Sequence, residues 1–414
     1  MRTVFVASLT SLLLAVATTA AGSATAADNP WLGQRVMNMA HSGGEDEAPM
    51  NTMYAFERAE SLGADMLELD VQRTADDDLA VIHNSTVDDS TDHTGRVDSF
   101  TMDELRTMDA AHWFVPGRST VHDDPDAAYP LRGARSGVIA VDGHEPSDFG
   151  ISSLSDVLER FPGTPVNIEI KGTGTPQSFL DTAEVLAEQL DGTERTNLIV
   201  GSFSDDALVR FHELAPGISM SAGQNAMISY YLSGTPLPEG VVALQVPITY
   251  SGIRVVNREF VDRAHRDGYA VHAWFSGSAP DDAQTYADVI NTCVDALMPA
   301  RPTVLEEVFT QQGTERPMPG GTPPRAECAL DDGSTDPEPE PTDPEPTDPT
   351  TPGPTTPGPT TPTSPKPTDP VPTDPVPTKP TDDGGQSTTA PQPPDQPSTG
   401  SPGGPERPRI VQTG

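Results

Sequence analysis

The sequence predicts an α/β chain folded as a (β/α)8 TIM barrel, with one extra hairpin strand, a long insertion after it and a disordered Pro/Thr-rich tail. Two observations carry the barrel. Eight short apolar runs alternate with helical stretches between residues 36 and 302, and polar side chains gather at the C-terminal ends of those runs, where barrels of this kind place their sites. An open doubly wound sheet is the alternative arrangement of the same alternation.

The runs come in order. VMNMAH (36–41) ends on His41, and the helical stretch TMYAFERAESLG leads to DMLELDV (65–71). LAVIHN then returns as a hairpin folded about Asp76 and Asp77, which would set Asp70 opposite His83. Residues 85–153 form an insertion on the same rim. VNIEIK (166–171), LIVGSF (198–203), ISMSA (218–222), VALQVP (242–247), YAVHAWF (269–275) and DALMPA (295–300) complete the eight.

The ends of the 414-residue chain differ in composition from this middle. Arg2, an apolar run from Val4 to Val16 and the small residues Ala24-Thr25-Ala26 read as a signal peptide over residues 1–26, too short for a membrane span. Secretion is therefore expected, with the barrel over 28–310 and a connecting segment over 311–332. From 333 to 414 a Pro/Thr/Asp repeat cannot bury apolar surface and reads as an extended spacer. The closing RIVQTG lacks the apolar segment and basic tail of a wall-sorting signal. Cys293 and Cys328 either form one disulfide, as export allows, or stay unpaired. A net charge of −38 without a basic stripe excludes a nucleic-acid backbone as partner. Asn84-Ser85-Thr86 fits a glycosylation acceptor but abuts the candidate site.

Side chains two apart in a strand share a face, so Glu68 and Asp70 project together, with the nearest local cation, Arg73, on the other face. Such a pair asks for a divalent cation, or else belongs to a solvent-exposed hairpin. Glu169 tips the balance toward a site, because it gives a hard cation a third oxygen ligand. Lys171 supplies a positive charge for an anionic substrate. His272 and Trp274 share a face at the seventh run, and His41 and His83 flank the acidic group.

These phrases, AHSGG, APMNT, LELD, VIHN and IEIK, together with GADMLELDV, HTGRVDSFTMDEL and VGSFSDDALVRFHELAPG, resemble the glycerophosphodiester phosphodiesterases of the secreted bacterial type. The resemblance covers residues 36–310. It implies hydrolysis of glycerophosphodiesters to glycerol 3-phosphate and an alcohol, with Glu68, Asp70 and Glu169 holding one calcium or magnesium ion. It makes His41 and His83 general acid and base, and gives phosphate contact to Lys171, with Ser42 and Trp274 in the substrate-binding set.

Ser42 stands where the family has arginine, and Met50 where it has glutamate. Losing both together leaves no unpaired buried charge. Asn84 replaces the family's aspartate after His83, and the last run ends MPAR. The insertion carries Trp113, Phe114, Arg118, Tyr129, Arg132 and Arg135, which either form a lid over the site or pack as an ordinary loop. Two other readings use the same residues: a phospholipase D-like enzyme acting on lysolipids or sphingomyelin, and a non-catalytic surface binder. Teichoic acid is a further candidate substrate, and the tail a candidate wall tether.

Overall fold

The strands follow in chain order as β1 (Met37–Ala40), β2 (Met66–Arg73), β3 (Leu79–Val81), β4 (Val166–Ile170), β5 (Leu198–Gly201), β6 (Ser219–Ser221), β7 (Val241–Pro247), β8 (Thr249–Tyr250), β9 (Ile253–Arg254), β10 (Ala270–Trp274) and β11 (Ala296–Met298). β1, β2, β4, β5, β6, β7, β10 and β11 are parallel neighbours. Because β1 pairs with β11 on one side and β2 on the other, the sheet closes on itself. The expected (β/α)8 barrel is present, and each expected run coincides with one of these strands. The computed structural model describes residues 29–33, 36–275, 279–314 and 328, all within one compact unit, Met1–Asp331. The expected signal peptide, the repeat tail and most of the connecting segment lie outside the described residues.

Alternation with period two sorts each strand between two cores. Leu67, Leu69, Val71, Ile168, Ile170, Leu244 and Val246 pack outward beneath the helices, in one continuous apolar layer. Inward, Met37, Met39, Met66, Ile199, Ala243, Ala270 and Ala296 fill the barrel base, and Trp31, from the segment before β1, plugs it. Asn29 fastens that plug by donating from Nδ2 to the carbonyls of Val242 (2.7 Å) and Gly268 (2.8 Å). His272 belongs to this interior and not to the rim. It is fully buried with its ring 6.5 Å from that of Trp31, and burial pushes its imidazole down to about 4.

The helices are α1 (Met53–Ser61), α2 (Met102–Leu105), α3 (Leu154–Arg160), α4 (Pro176–Gln189), α5 (Asp205–Leu214), α6 (Gln224–Ser233), α7 (Arg258–Arg266), α8 (Ala283–Ile290) and α9 (Pro302–Gln312). Thr52, Ser153, Thr175, Ser204, Asn257 and Asp282 accept a backbone N–H at the starts of α1, α3, α4, α5, α7 and α8. Each such cap stabilises its helix by about 1 kcal/mol.

β1 stops at Ala40, which leaves the end of β2 without a neighbour on that side, and β3 covers it in antiparallel pairing. The register pairs Val71 with Val81 and Gln72 with Ala80, and Ile82 donates to the Asp70 carbonyl at 2.9 Å. Asp70 thus stands opposite Ile82 and not His83 as expected. The turn is a three-residue loop between Thr74 and Asp78, with Asp77 in the left-handed region at φ 60°, so the pairing is one residue out from a two-residue turn.

The insertion has its own apolar cluster, with Val87, Val97, Met102, Leu105 and Met108 packed on Ala80 and Ile82 of the hairpin. Its arginines are engaged there. Arg132 lies 3.7 Å from the Tyr129 ring centroid and 4.7 Å from that of Trp113, Arg118 pairs with Asp124, and Arg135 donates to the Arg106 carbonyl at 2.7 Å. Cys293 and Cys328 are joined as a disulfide with 5.6 Å between Cα atoms, which decides between the two expected states. No helix among the described residues is long and apolar enough to cross a membrane.

At the base, Asp295 gathers the backbone N–H of Gly33 (3.1 Å) and Val271 (2.8 Å) and pairs with His265 at 2.8 Å. Burial works against the His265 imidazolium, and Asp295 outweighs it, so its folded pKa is raised. A raised folded pKa means stabilisation that is complete below the unfolded value of about 6.5 and is lost as pH rises through the folded value. His265→Gln is expected to cost about 2 kcal/mol at pH 5.5 and clearly less at pH 9. Urea unfolding at the two pH values checks this.

Candidate active site

The loop after β1 is built to bring its backbone against the barrel mouth. Gly43 (φ 80°) and Gly44 (φ 91°) are left-handed, and a Cβ on them would lie 2.8 Å from Ala55 Cβ and 2.7 Å from Pro302 Cδ. Ser42 is also left-handed at φ 46°, an unusual state for a residue with a side chain. In this conformation its N–H donates to Glu68 Oε2 at 2.8 Å and its hydroxyl to Asp70 Oδ2 at 3.2 Å. Asn51 Nδ2 donates to the same Asp70 oxygen at 2.9 Å. Ser42 is therefore buried against the carboxylates, with its hydroxyl turned to Asp70.

Glu68, Asp70 and Glu169 each bring one oxygen to within 4.8 Å of the others. Strand pairing causes this, because Asp70 and Glu169 are partners across β2 and β4. The cation beside them is not Arg73, which pairs with Asp77 in the hairpin turn, but Lys171. Its Nζ lies 2.9 Å from Glu169 Oε1, 3.3 Å from Asp70 Oδ1 and 3.2 Å from His83 Nε2. Burial alone would lower the ammonium pKa, but Glu169 and Asp70 hold it above its ordinary value. Burial likewise opposes the Asp70 carboxylate, and Lys171, then His83 and His41, hold it well below the carboxylate range. Glu68 goes the other way: burial first, then Asp70, push it up to about 8.

This is an acidic cluster short of positive charge. Lys171 is one ammonium against three carboxylates, and it is shared between Asp70 Oδ1 and Glu169 Oε1, buried oxygens to which no other donor is turned. An all-oxygen donor set with residual negative charge fits a hard divalent cation.

The two histidines differ in what holds them. His41, in the turn just past β1, has Nδ1 2.8 Å from Glu45 Oε1 and Nε2 4.0 Å from Glu68 Oε2. Enclosure works against its charge, but Glu45 and then Glu68 raise its pKa well above the ordinary value. His83 has Nδ1 2.6 Å from Asn84 Oδ1 and turns Nε2 to Lys171. Gln72, fully buried, donates from Nε2 to the His83 carbonyl at 3.0 Å and also reaches that of Asn84, which places His83 beyond the end of β3.

Glu45, Asn51 and Gln72 were not among the expected site residues. Gln72 continues the inward row Glu68, Asp70, Gln72, a signal visible in the two-residue period. Glu45 and Asn51 sit in an irregular loop that has no such period. The Asn84 amide is taken up by His83 and Asp89, so the acceptor motif is folded into the site.

A cavity of about 240 Å³ opens over the cluster, with His41, Glu68, His83, Glu169 and Lys171 on one side and Phe203, Met227, Trp274 and Phe275 on the other. Trp274 donates from Nε1 to the Gln245 carbonyl at 3.2 Å and meets the Phe203 ring edge-on at 5.9 Å. None of Trp113, Phe114, Arg118, Tyr129, Arg132 and Arg135 lines it. The lid reading of the insertion is thereby corrected, since those side chains are held by partners within the insertion.

The model of the glycerophosphoryl diester phosphodiesterase family matches residues 41–296, which span the whole mouth just described. The chain belongs to this family. Among relatives of this phosphodiesterase, YhdW of Bacillus subtilis is 30% identical over 239 residues, 57% of this chain and 84% of that protein. The glycerophosphodiester phosphodiesterase of Bacillus altitudinis is 32% identical over 183 residues, covering 44% of this chain and 64% of the relative. A crystal structure from Silicibacter pomeroyi shares the fold, with a TM-score of 0.53 at 17% identity over 69% of this chain and 97% of that one.

Calcium or magnesium at 100 times its dissociation constant is expected to stabilise the folded phosphodiesterase by about 2.7 kcal/mol, read as a rise in Tm. Glu169→Gln should remove most of that rise while leaving a folded protein. A Tm indifferent to both ions would contradict the fit.

Proposed function

We propose that the chain is an exported, metal-dependent phosphodiesterase that splits glycerophosphodiesters into glycerol 3-phosphate and an alcohol. The observation that carries this reading is a pair of imidazoles facing one carboxylate–lysine cluster with unlike partners behind them. Glu45 behind His41 favours an imidazolium that can give up a proton from Nε2. Asn84 Oδ1 behind His83 accepts a hydrogen bond from Nδ1–H, so Nε2 presents its lone pair to the cavity. His83 is thus the base and His41 the acid.

In the first step His83 Nε2 takes the proton of the glycerol 2-hydroxyl, whose oxygen attacks phosphorus. The departing alkoxide takes the proton of His41 Nε2, and a cyclic phosphate is left. Water then opens the ring with the two histidines in exchanged roles. Lys171, already poised between the carboxylates and His83, binds a phosphoryl oxygen, and Ser42 holds Glu68 and Asp70 in place from behind. Glu68, Asp70 and Glu169 would hold a divalent ion, which would supply Lewis acidity to the phosphoryl group and screen its charge. The wall carrying Phe203 and Trp274 receives the remainder of the substrate.

Export is supported by the leader-like residues 1–26 and by the Cys293–Cys328 disulfide, which suits an oxidising compartment. The Pro/Thr/Asp repeat fits a spacer that holds the enzyme off a surface. Glycerol-phosphate wall polymers such as teichoic acid carry the same bond type as the small diesters.

Phosphorus NMR of the mature chain with glycerophosphocholine and lysophosphatidylcholine, in calcium or magnesium and again with chelator, tests the reading. Metal-dependent glycerol 3-phosphate from the first substrate is expected; a lysophosphatidic or cyclic lipid product from the second alone would sink it in favour of the phospholipase. His41→Ala and His83→Ala should each lower kcat by about 10²- to 10⁴-fold. Gln72→Leu should lower kcat by about 10²-fold with KM nearly unchanged, because it displaces His83 without touching substrate.

A further inference from the structure

Among the described residues a second group of metal-ligating side chains converges outside the mouth. Glu57 on α1 and His144 and Asp148 in the returning arm of the insertion each bring one ligand atom to within 4.8 Å of the others. His144 Nδ1 lies 3.1 Å from Glu57 Oε2 and 3.6 Å from Asp148 Oδ2, yet it is buried and makes no hydrogen bond to either. Its ring is held edge-on by Tyr54 at 4.7 Å, and the Asp148 carboxylate is steadied by the Glu145 N–H at 2.8 Å. Arg160 pairs with Glu57 Oε1 and leaves Oε2 turned to the imidazole.

A ring nitrogen facing two carboxylate oxygens without a hydrogen bond is repulsive if it presents its lone pair, unless a cation sits between the three. We propose that Glu57, His144 and Asp148 form a second divalent-metal site, for a zinc-class ion, that clips the end of the insertion to α1. One nitrogen and two carboxylate oxygens, with water completing a tetrahedron, suit zinc. Calcium and magnesium prefer oxygen alone, so the two sites select different ions. The clip also bears on the mouth, because α1 follows directly from the loop that carries Ser42 and Asn51.

The test uses the whole mature chain, stripped with chelator and titrated with zinc by calorimetry, with Tm followed in parallel. One zinc equivalent is expected that survives Glu169→Gln, with Tm rising by about 5 °C at 100-fold excess over Kd. His144→Gln and, separately, Asp148→Asn should weaken that equivalent by about 100-fold, at least what losing an outer partner of a ligand costs. Circular dichroism without metal verifies that each variant is folded. No zinc equivalent in Glu169→Gln, or zinc binding unchanged in both folded variants, would overturn the site and leave His144 in a plain ion pair.

Discussion

Three carboxylates drawn together at the mouth of a closed barrel, against a single ammonium, are the constraint on which the rest of the site depends. In water such a group would disperse; here β2 and β4 hold it by backbone pairing, and the barrel cannot open without losing its core. The cost shows in Glu68, pushed up to about 8 by burial and by Asp70. Ser42, Asn51 and Lys171 exist in their present conformations because these oxygens need donors. The left-handed backbone of Ser42 is the clearest case, since it turns an N–H onto Glu68.

The two histidines take their chemical difference from groups one step further out. Glu45 and Asn84 occupy the same place relative to their imidazoles, one as a carboxylate and one as an amide. That single contrast puts two identical side chains in different electrostatic surroundings, because a carboxylate adds charge behind its ring and an amide oxygen only fixes a tautomer. Ser42, at the position where the family resemblance implies arginine, likewise has a local logic. The serine hydroxyl and the Asn51 amide together serve Asp70, and both residues are buried against it.

The fold serves the site by being rigid below and irregular above. Small and sulfur-containing side chains fill the base beneath Trp31, and the neutral His272 sits among them. Above, loops of differing length follow each strand, and the longest has a core of its own. The insertion keeps its aromatic and arginine side chains for that core, so the cavity wall opposite the carboxylates comes from Phe203, Met227, Trp274 and Phe275 on the later strands and helices.

By itself the sequence determined the eight strands, their inward and outward faces and the membership of the carboxylate group. These follow from a two-residue period and from short-range spacing, which a linear chain carries openly. Tertiary structure decided everything that depends on distance across the mouth. Lys171 reaches Asp70 and Glu169, while the nearer-in-sequence Arg73 turns away, because parallel pairing sets β4 beside β2. A three-residue turn moved His83 out of register with Asp70, and Gln72 brought it back by holding the carbonyls beyond β3. Cys293 meets Cys328 across a sequence separation of 35, and Glu45 meets His41 through a glycine-dependent turn. Such contacts join residues whose separation is set by the closed barrel and its loops, and no local pattern encodes them.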